Sequence, residues 1–488
     1  MHSWRKVTEK IILKLNLENR MQIIKETKIA NNMILLSFMV AILVGCCTAI
    51  FPNLTTLFFG ISIFSILILL VPETAIALLL TSSYPYYWLL ENIYGFNPEK
   101  SRNITAIYLV SLTILYFFSF SIIKRDFKFK IGFRNRIDVP TTSFYLLTSI
   151  IFINWLIFTF NLPTAKQRIV YFVLLCLFPF ITMTKVKLNN IEKIMRIFNI
   201  LLLLFLFLSF VYYIINKRNF VRFTPIEGYF NAISVALLCA FLIIISTIKA
   251  LFRKGKRLLY FVYLIPISLL SSIIMFATGS RGPMIALVLA MIMIFSIYIL
   301  KTLKNKEFNI IILMVIVMLF LIFIFLYPLF SFRNVTGVYE RYRNFISNPI
   351  KEGESRLDRY KFAVKEMQEN VKVLTFGIGL GNFEIMYSGK EAITGPHNYI
   401  LDAAVELGII GAIAAIIFIF SVLIKGLNIV MTIEDNNLLI QIMQIIGIFL
   451  VSFYFSMISG TIVTHASLYI SAGGIIGLKS YIRDKHER

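Results

Sequence analysis

Charged residues are scarce in this chain, at 15% of 488 residues, while 58% are hydrophobic and the mean hydropathy is +0.82. A soluble domain has no means of burying so large an apolar fraction. Runs of about 20 apolar residues, each able to cross a hydrocarbon layer of about 30 Å as a helix, recur along the whole length. The short alternating segments of a membrane β-barrel are not visible. The sequence therefore predicts an all-α polytopic membrane protein.

Cysteine is also rare, which limits the chemistry that the chain can support. All four cysteines lie inside apolar runs and lack the spacing of a metal site: Cys46, Cys47, Cys176 and Cys239. In that setting cysteine behaves as a small buried hydrophobe. We therefore predict that these cysteines form no disulfide and bind no metal.

Acidic residues are outnumbered, since 25 Asp and Glu face 48 Lys and Arg and leave a net charge of +23. Such a charge can indicate nucleic-acid binding, but the positions of the basic residues favour a membrane. Fourteen spans are predicted, or twelve if the short second and third are tilted or re-entrant. The predicted spans are 33–50, 54–71, 74–90, 104–123, 142–160, 168–184, 197–215, 229–248, 258–277, 283–300, 308–330, 399–424, 438–458 and 461–479.

The basic residues are distributed unevenly between the two sides of these spans. With a cytoplasmic N-terminus, the inner segments hold 30 Lys and Arg, the short outer loops hold 8 and the long loop 331–398 holds 10. This bias places both termini in the cytoplasm, and anionic lipid headgroups account for the inner charge without nucleic acid. On this count, no Lys or Arg lies in the interior of a span.

The predicted organisation follows from these spans. Residues 1–32 form a cytoplasmic basic amphipathic segment, and residues 33–330 form the N-terminal transmembrane helices. Residues 331–398 are one long extracytoplasmic loop. Residues 399–479 form the C-terminal transmembrane helices and residues 480–488 a cytoplasmic tail.

The stretch TGPHNYILDAAVELGIIGA, residues 394–412, opens an apolar helix with a proline and a histidine. Pro396 suits the first turn of a helix, where its missing N–H costs nothing. His397 then lies at the positive end of the helix dipole, which favours a neutral imidazole that can accept a proton from a hydroxyl. The alternative is that His397 only caps the helix at the membrane interface.

The same helix carries two glycines and two acids. In a regular helix, Gly408 and Gly411 share the His397 face and form a small-residue stripe against which another helix can pack. Asp402 and Glu406 point roughly the opposite way, and acids in a span usually pair or line a polar cavity.

Two basic positions on the outer side are candidates for binding an anion. Arg281 sits in a very short turn, TGSRGP, whose glycine and proline leave the guanidinium little freedom. Its fork of donors suits a phosphate, although an arginine at a span end often only snorkels. The outer loop 216–228 is basic against the usual bias, through Lys217, Arg218 and Arg222.

The long loop contains a predicted amphipathic helix and then a glycine-rich turn. Arg356 on that helix either reaches a substrate or belongs to the solvated face. The turn GIGLG lacks the βαβ context of a dinucleotide fingerprint, so we reject that reading and expect a flexible turn near the mouth of the site. Its glycines are Gly377, Gly379 and Gly381.

Taken together, these pieces resemble the O-antigen ligase and O-antigen polymerase family of bacterial membrane glycosyltransferases. His397-Asn398, nine residues, Gly408, two residues and Gly411 are similar to the family's most specific pattern. The TGSRG turn at Arg281 and the RFTPIEGYFNAI segment starting at Arg222 are similar to two earlier family segments. The resemblance covers roughly residues 220–425.

This resemblance implies a fold of the C type among glycosyltransferases and an inverting transfer that uses no metal and no cofactor. The donor would be a glycan on undecaprenyl diphosphate at the outer face of the cytoplasmic membrane. Arg222 and Arg281 would stabilise the diphosphate leaving group, and His397 would deprotonate the acceptor hydroxyl. Lys217, Arg218, Arg356 and Asn398 are then candidates for substrate binding, with Pro396, Gly408 and Gly411 as structural positions.

Three functions stay open at this point. A polymerase would join lipid-linked repeat units into a capsule, exopolysaccharide or teichuronic-acid-type chain, alongside other polysaccharide assembly proteins. An O-antigen ligase would use the same donor and a different glycan acceptor. A flippase for lipid-linked oligosaccharides should show charges at mid-membrane or two similar halves, which the sequence lacks, so the sequence favours an enzyme. Between the two enzymes the choice is close. We favour a polymerase, because richness in Lys, Ile, Asn and Phe is typical of an AT-rich genome and polymerisation is the natural role in a host without an outer membrane.

Overall fold

The computed structural model describes residues 73–80, 138–159, 162–186, 188–215, 232–253, 257–304, 349–390, 395–463 and 465–486, and these form helices without any strand. We number the helices in chain order. They are α1 (Glu73–Leu80), α2 (Val139–Thr159), α3 (Pro163–Met183), α4 (Leu188–Ile215), α5 (Ala232–Phe252), α6 (Arg257–Ala277), α7 (Arg281–Lys304), α8 (Pro349–Glu369), α9 (Val371–Phe376), α10 (Phe383–Ser388), α11 (Tyr399–Thr432), α12 (Asn436–Ser459) and α13 (Ala466–His486).

Seven of the described helices are long and apolar enough to cross a membrane, namely α2, α3, α4, α5, α7, α11 and α12. The prediction of an all-α polytopic membrane protein is therefore confirmed. Two further predicted spans correspond to α6 and α13, whose apolar parts are shorter. The predicted spans 33–50, 54–71, 104–123 and 308–330 lie outside the described residues.

The ends of these helices form two opposite faces. On one face, Lys425 of α11 forms an ion pair of 2.7 Å with Asp138, which precedes α2. On the same face, Lys301 near the end of α7 donates hydrogen bonds to the carbonyls of Val430 and Ile433. Cations at the carboxyl end of a helix complement its dipole, so these two lysines tie α2 and α7 to the end of α11.

An aromatic cluster forms the core between α2, α3, α11 and α13. The rings of Phe144 and Phe180 stack at 3.7 Å, and Phe418 and Tyr469 stack at 5.9 Å beside them. All four side chains are fully buried. Buried aromatic pairs of this kind add about 0.5–1.5 kcal/mol each beyond their buried area, so this cluster fixes the four helices against one another.

The prediction that no basic residue lies inside a span is wrong. Arg168 lies in α3, five residues after the helix begins at Pro163, and it has no exposed surface. Polar residues at the start of α3, the sequence PTAKQR, lower the local hydropathy, so the predicted span began at residue 168 when the helix begins at Pro163.

Candidate active site

Helix α11 is broken at Gly408, whose φ of 77° and ψ of −179° are not helical. A break of this kind frees backbone carbonyls one turn earlier, and buried carbonyls need hydrogen-bond donors. The glycine-rich loop supplies them, because Ile378 donates to the carbonyl of Val405 at 2.9 Å and Gly379 to that of Glu406 at 3.1 Å. The loop is therefore anchored to α11 by hydrogen bonds from two of its residues, where the sequence predicted a flexible turn.

Both sides of this contact require glycine. A Cβ on Gly377 (φ 80°) would lie 2.1 Å from the carbonyl oxygen of Glu406, and one on Gly408 would lie 2.2 Å from that of Thr375. The two backbones therefore approach more closely than any side chain allows. Gly408 serves this approach rather than the helix-packing stripe that a regular helix predicts.

Asn154 of α2 connects the loop to the break. Its amide nitrogen donates to the carbonyls of Phe376 (2.9 Å) and Glu406 (3.1 Å), and its amide oxygen accepts from the backbone N–H of Leu380 at 2.8 Å. The side chain is 4% exposed. One buried amide thus joins α2, α11 and the loop that precedes α10.

The acid of α11 that lies nearest the break is paired. Glu406 forms an ion pair with Arg168 of α3, and neither side chain has exposed surface. The sequence expectation that acids in a span pair with a partner is met here by an arginine that the sequence had placed at the very start of a span. Removal of one member of such a buried pair leaves an uncompensated charge and typically costs about 3–5 kcal/mol.

His397 lies just before α11, and its backbone is in the left-handed region with φ of 62°. A non-glycine residue there is strained by roughly 1–3 kcal/mol and persists only where its surroundings hold it. Asn398 provides one constraint, because its side chain accepts from the backbone N–H groups of Ile400 and Leu401 and so caps α11. The amide of Asn398 also donates to the carbonyl of Met457 at 2.9 Å.

The residue before Pro396 is held from two sides. Arg359 of α8 donates to the carbonyl of Gly395 at 3.2 Å and binds both carboxylate oxygens of Glu384. Asp402 packs against the opposite side of Gly395, where a Cβ would lie 2.3 Å from its Oδ1. The other oxygen of Asp402 accepts the backbone N–H of Ile462 at 2.8 Å. These contacts fix the segment that carries His397.

The electrostatic surroundings keep the His397 imidazole neutral. Burial lowers the pKa of His397 to about 4, and the guanidinium groups of Arg356 and Arg359 act in the same direction, while Glu384 opposes them. The imidazole is therefore unprotonated at neutral pH and can accept a proton. This agrees with the neutral form that we expected, although burial is the larger cause and the helix dipole is not required.

Arg356 and the first residues of α7 both lie at the carboxyl end of α12. Arg356 donates to the carbonyl of Ile458 at 3.1 Å, which occupies one of its five donors. Arg281 begins α7, and a Cβ on the next residue, Gly282, would lie 3.5 Å from the side chains of Phe455 and Ile458. The structure thus brings Arg281, Arg356 and His397 to one face, around the last turn of α12.

Of the remaining predicted residues, two lie in or near α11 and three fall outside the described residues. Pro396 lies three residues before α11 begins at Tyr399, so its predicted place in the first turn is wrong. Gly411 lies inside the regular part of α11, where a Cβ would meet the Leu407 side chain of its own helix at 2.4 Å. Three basic residues lie outside the described residues, namely Lys217, Arg218 and Arg222.

Sequence reasoning missed several residues that shape this site. Arg168 was placed at the boundary of a predicted span, and Glu384 and Asn154 carried no signal because their partners are distant in the chain. His465, in the turn between α12 and α13, was also missed. Its ring packs edge-on against Phe455 at 5.4 Å, and burial lowers its pKa to about 4.

In a comparison with protein families, residues 266–416 match the family described as O-antigen ligase. The matched region contains Arg281, Arg356, His397, Gly408 and Gly411, and it ends before α12. It confirms the resemblance drawn from the sequence motifs. A search of curated proteins found none that matches this chain.

Proposed function

Since residues 266–416 carry a domain of the O-antigen ligase family, we propose that this protein is a membrane glycosyltransferase that polymerises glycan units carried on undecaprenyl diphosphate. The observation that carries the proposal is His397, a strained and neutral histidine next to Arg356 on the face that also presents Arg281. The product would be a cell-surface polysaccharide assembled at the outer face of the cytoplasmic membrane. The acceptor would be a second lipid-linked glycan.

In this proposal His397 is the general base. Its neutral imidazole accepts the proton of the acceptor hydroxyl as that oxygen attacks the anomeric carbon of the donor from the side opposite the diphosphate. A bond forms from the acceptor oxygen to the sugar, the bond from the sugar to the diphosphate breaks, and the configuration inverts. The lipid diphosphate leaves with the electron pair.

A pKa of about 4 in the free protein makes His397 a weak base. We expect the bound donor to raise this pKa. The diphosphate brings negative charge toward Arg356, whose positive charge helps to lower the pKa of His397. Because an anion favours the protonated imidazole, donor binding raises that pKa toward neutrality. The base is therefore strengthened when the substrate is in place.

The arginines stabilise the leaving group. Arg281 stands at the amino end of α7, where the helix dipole is also positive, so the two together favour an anion at this position. Arg222 belongs to the same role through the sequence motif. We assign the stabilisation of the diphosphate to these guanidinium groups without a divalent metal, and we keep Lys217, Arg218, Arg356 and Asn398 as candidates for binding the glycan or its diphosphate.

The test is transfer in vitro from a lipid-diphosphate-linked glycan, with a chelator present. His397→Ala should abolish transfer, and Arg281→Lys should lose about a hundredfold in rate, because a lost donor to a developing charge costs about 3 kcal/mol. Arg196→Lys is a matched control, since Arg196 is exposed on α4 and pairs with Glu192. Wild-type rates from His397→Ala and Arg281→Lys, or a strict requirement for divalent metal, would refute the proposal.

An O-antigen ligase is the second candidate, because the matched family carries that description. The two candidates share a donor and differ in the acceptor. The size distribution of surface glycan in a deletion strain distinguishes them, since loss of a polymerase leaves single repeats and loss of a ligase leaves long chains unattached.

A further inference from the structure

Helix α9 (Val371–Phe376) exposes apolar side chains, unlike the helix before it. Four of its side chains are exposed and three of these are apolar: Val371 at 73%, Leu374 at 40% and Phe376 at 55%. In α8, the exposed side chains with described surroundings are mostly polar, with only Leu357 and Val364 as exceptions. The loop therefore changes from a water-compatible surface to an apolar one within a few residues.

The contacts of α9 place it at a definite height along the spans. Asn154, which binds the carbonyl of Phe376, is 15 residues beyond Val139 in α2, or about 22 Å along the helix axis. Glu406, the other partner of Asn154, is 19 residues before Lys425 in α11, or about 28 Å. Lys425 pairs with Asp138 at the opposite face, so both distances are measured from that face. They place Asn154 and Glu406 within the last ~8 Å of a hydrocarbon layer of about 30 Å.

The neighbouring spans present lipid-facing side chains at this same height. On α2 these are Ile153 and Ile157, at 56% and 67% exposed, and on α11 they are Ile409 and Ile410, at 44% and 54%. Isoleucines at such positions in a membrane span contact acyl chains. The apolar surface of α9 is therefore continuous with a surface that already faces hydrocarbon.

We propose that α9 is embedded in the bilayer, at the outer boundary of the hydrocarbon, so that Val371, Leu374 and Phe376 contact lipid acyl chains. The exposed Lys372 lies on the same helix, and its long side chain can extend to the headgroups. The hydrogen bonds of Ile378 and Gly379 to the break in α11 hold α9 at this depth. Part of the segment predicted as an extracytoplasmic loop is thus a membrane anchor, whatever reaction the protein catalyses.

The experiment uses tryptophan fluorescence of the full-length protein in vesicles whose lipids are brominated on the acyl chains. Phe376→Trp and Val371→Trp report on α9, and the second guards against a folding defect in the first. Lys365→Trp is the control on α8, where the lysine side chain is 66% exposed. The parent protein supplies the background from the three native tryptophans.

In both α9 variants, the added emission should be blue-shifted and mostly lost in brominated vesicles, with little quenching by aqueous acrylamide. The added emission of Lys365→Trp should show the opposite pattern. Acrylamide quenching of the α9 variants equal to that of the control would overturn the proposal by placing α9 in water. Protection from both quenchers would also overturn it, since another protein surface would then cover α9.

Discussion

Gly408→Ala tests whether the close approach between α11 and the glycine loop holds the site together. With φ of 77° and ψ of −179°, Gly408 lies in a backbone region that is essentially restricted to glycine, and an alanine there costs roughly 1–3 kcal/mol. Its Cβ would also lie 2.2 Å from the oxygen and 2.5 Å from the carbon of the Thr375 carbonyl. Relief requires the loop to move and to lose the hydrogen bonds from Ile378 and Gly379, at about 1 kcal/mol each. We therefore expect a loss of about 3–5 kcal/mol in unfolding free energy.

Two other glycines separate the contributions to this loss. Gly389 has φ of 73° and no atom within 4 Å of an added Cβ, so Gly389→Ala should cost only the conformational 1–2 kcal/mol, roughly. Gly426 has no positive φ, and its nearest atoms are 3.4–3.5 Å away on isoleucine side chains, so Gly426→Ala should be close to neutral. Titration with SDS in mixed micelles measures all three. If Gly408→Ala is no more destabilising than Gly389→Ala, the close approach does not contribute to stability and the reasoning fails.

Three further outcomes are expected. Arg168→Met should lower the unfolding free energy by about 3–5 kcal/mol, because Glu406 is left as a buried uncompensated charge. The double variant that also carries Glu406→Gln should recover much of that loss. Equal losses in the single and double variants would show that the pair is not coupled. As the pH is lowered, kcat/KM should decline near the His397 pKa of about 4. The decline of kcat should come at a higher pH, because the bound diphosphate favours the imidazolium. A decline of kcat/KM near the ordinary histidine pKa of about 6.5 would show that His397 is not the essential base, or that burial does not lower its pKa in this way. Glu340→Cys should react with an impermeant thiol reagent in intact cells and Gly255→Cys should not, as the basic-residue bias predicts; the reverse would place the site in the cytoplasm.

The sequence alone determined the class of fold and the location of the motif. Apolar runs of membrane length can form only helices in lipid, and seven of the predicted spans coincide with long apolar helices of the structure. The histidine and the paired glycines of the motif lie within the region that matches the O-antigen ligase family. These features are readable because hydropathy and motif spacing are local properties of the chain.

Only the tertiary structure decided what those residues contact. Arg168 pairs with Glu406, which is 238 residues away, and polar neighbours at the start of α3 hid the first turn of this helix from a hydropathy reading. The break at Gly408 was equally hidden, because a glycine in an apolar run fits a regular helix, a packing stripe and a left-handed turn alike. The broken conformation is favoured because the loop brings the backbone amides of Ile378 and Gly379 to the carbonyls that the break frees. Satisfaction of buried backbone groups depends on segments far apart in sequence, so the fold had to be known before the site was.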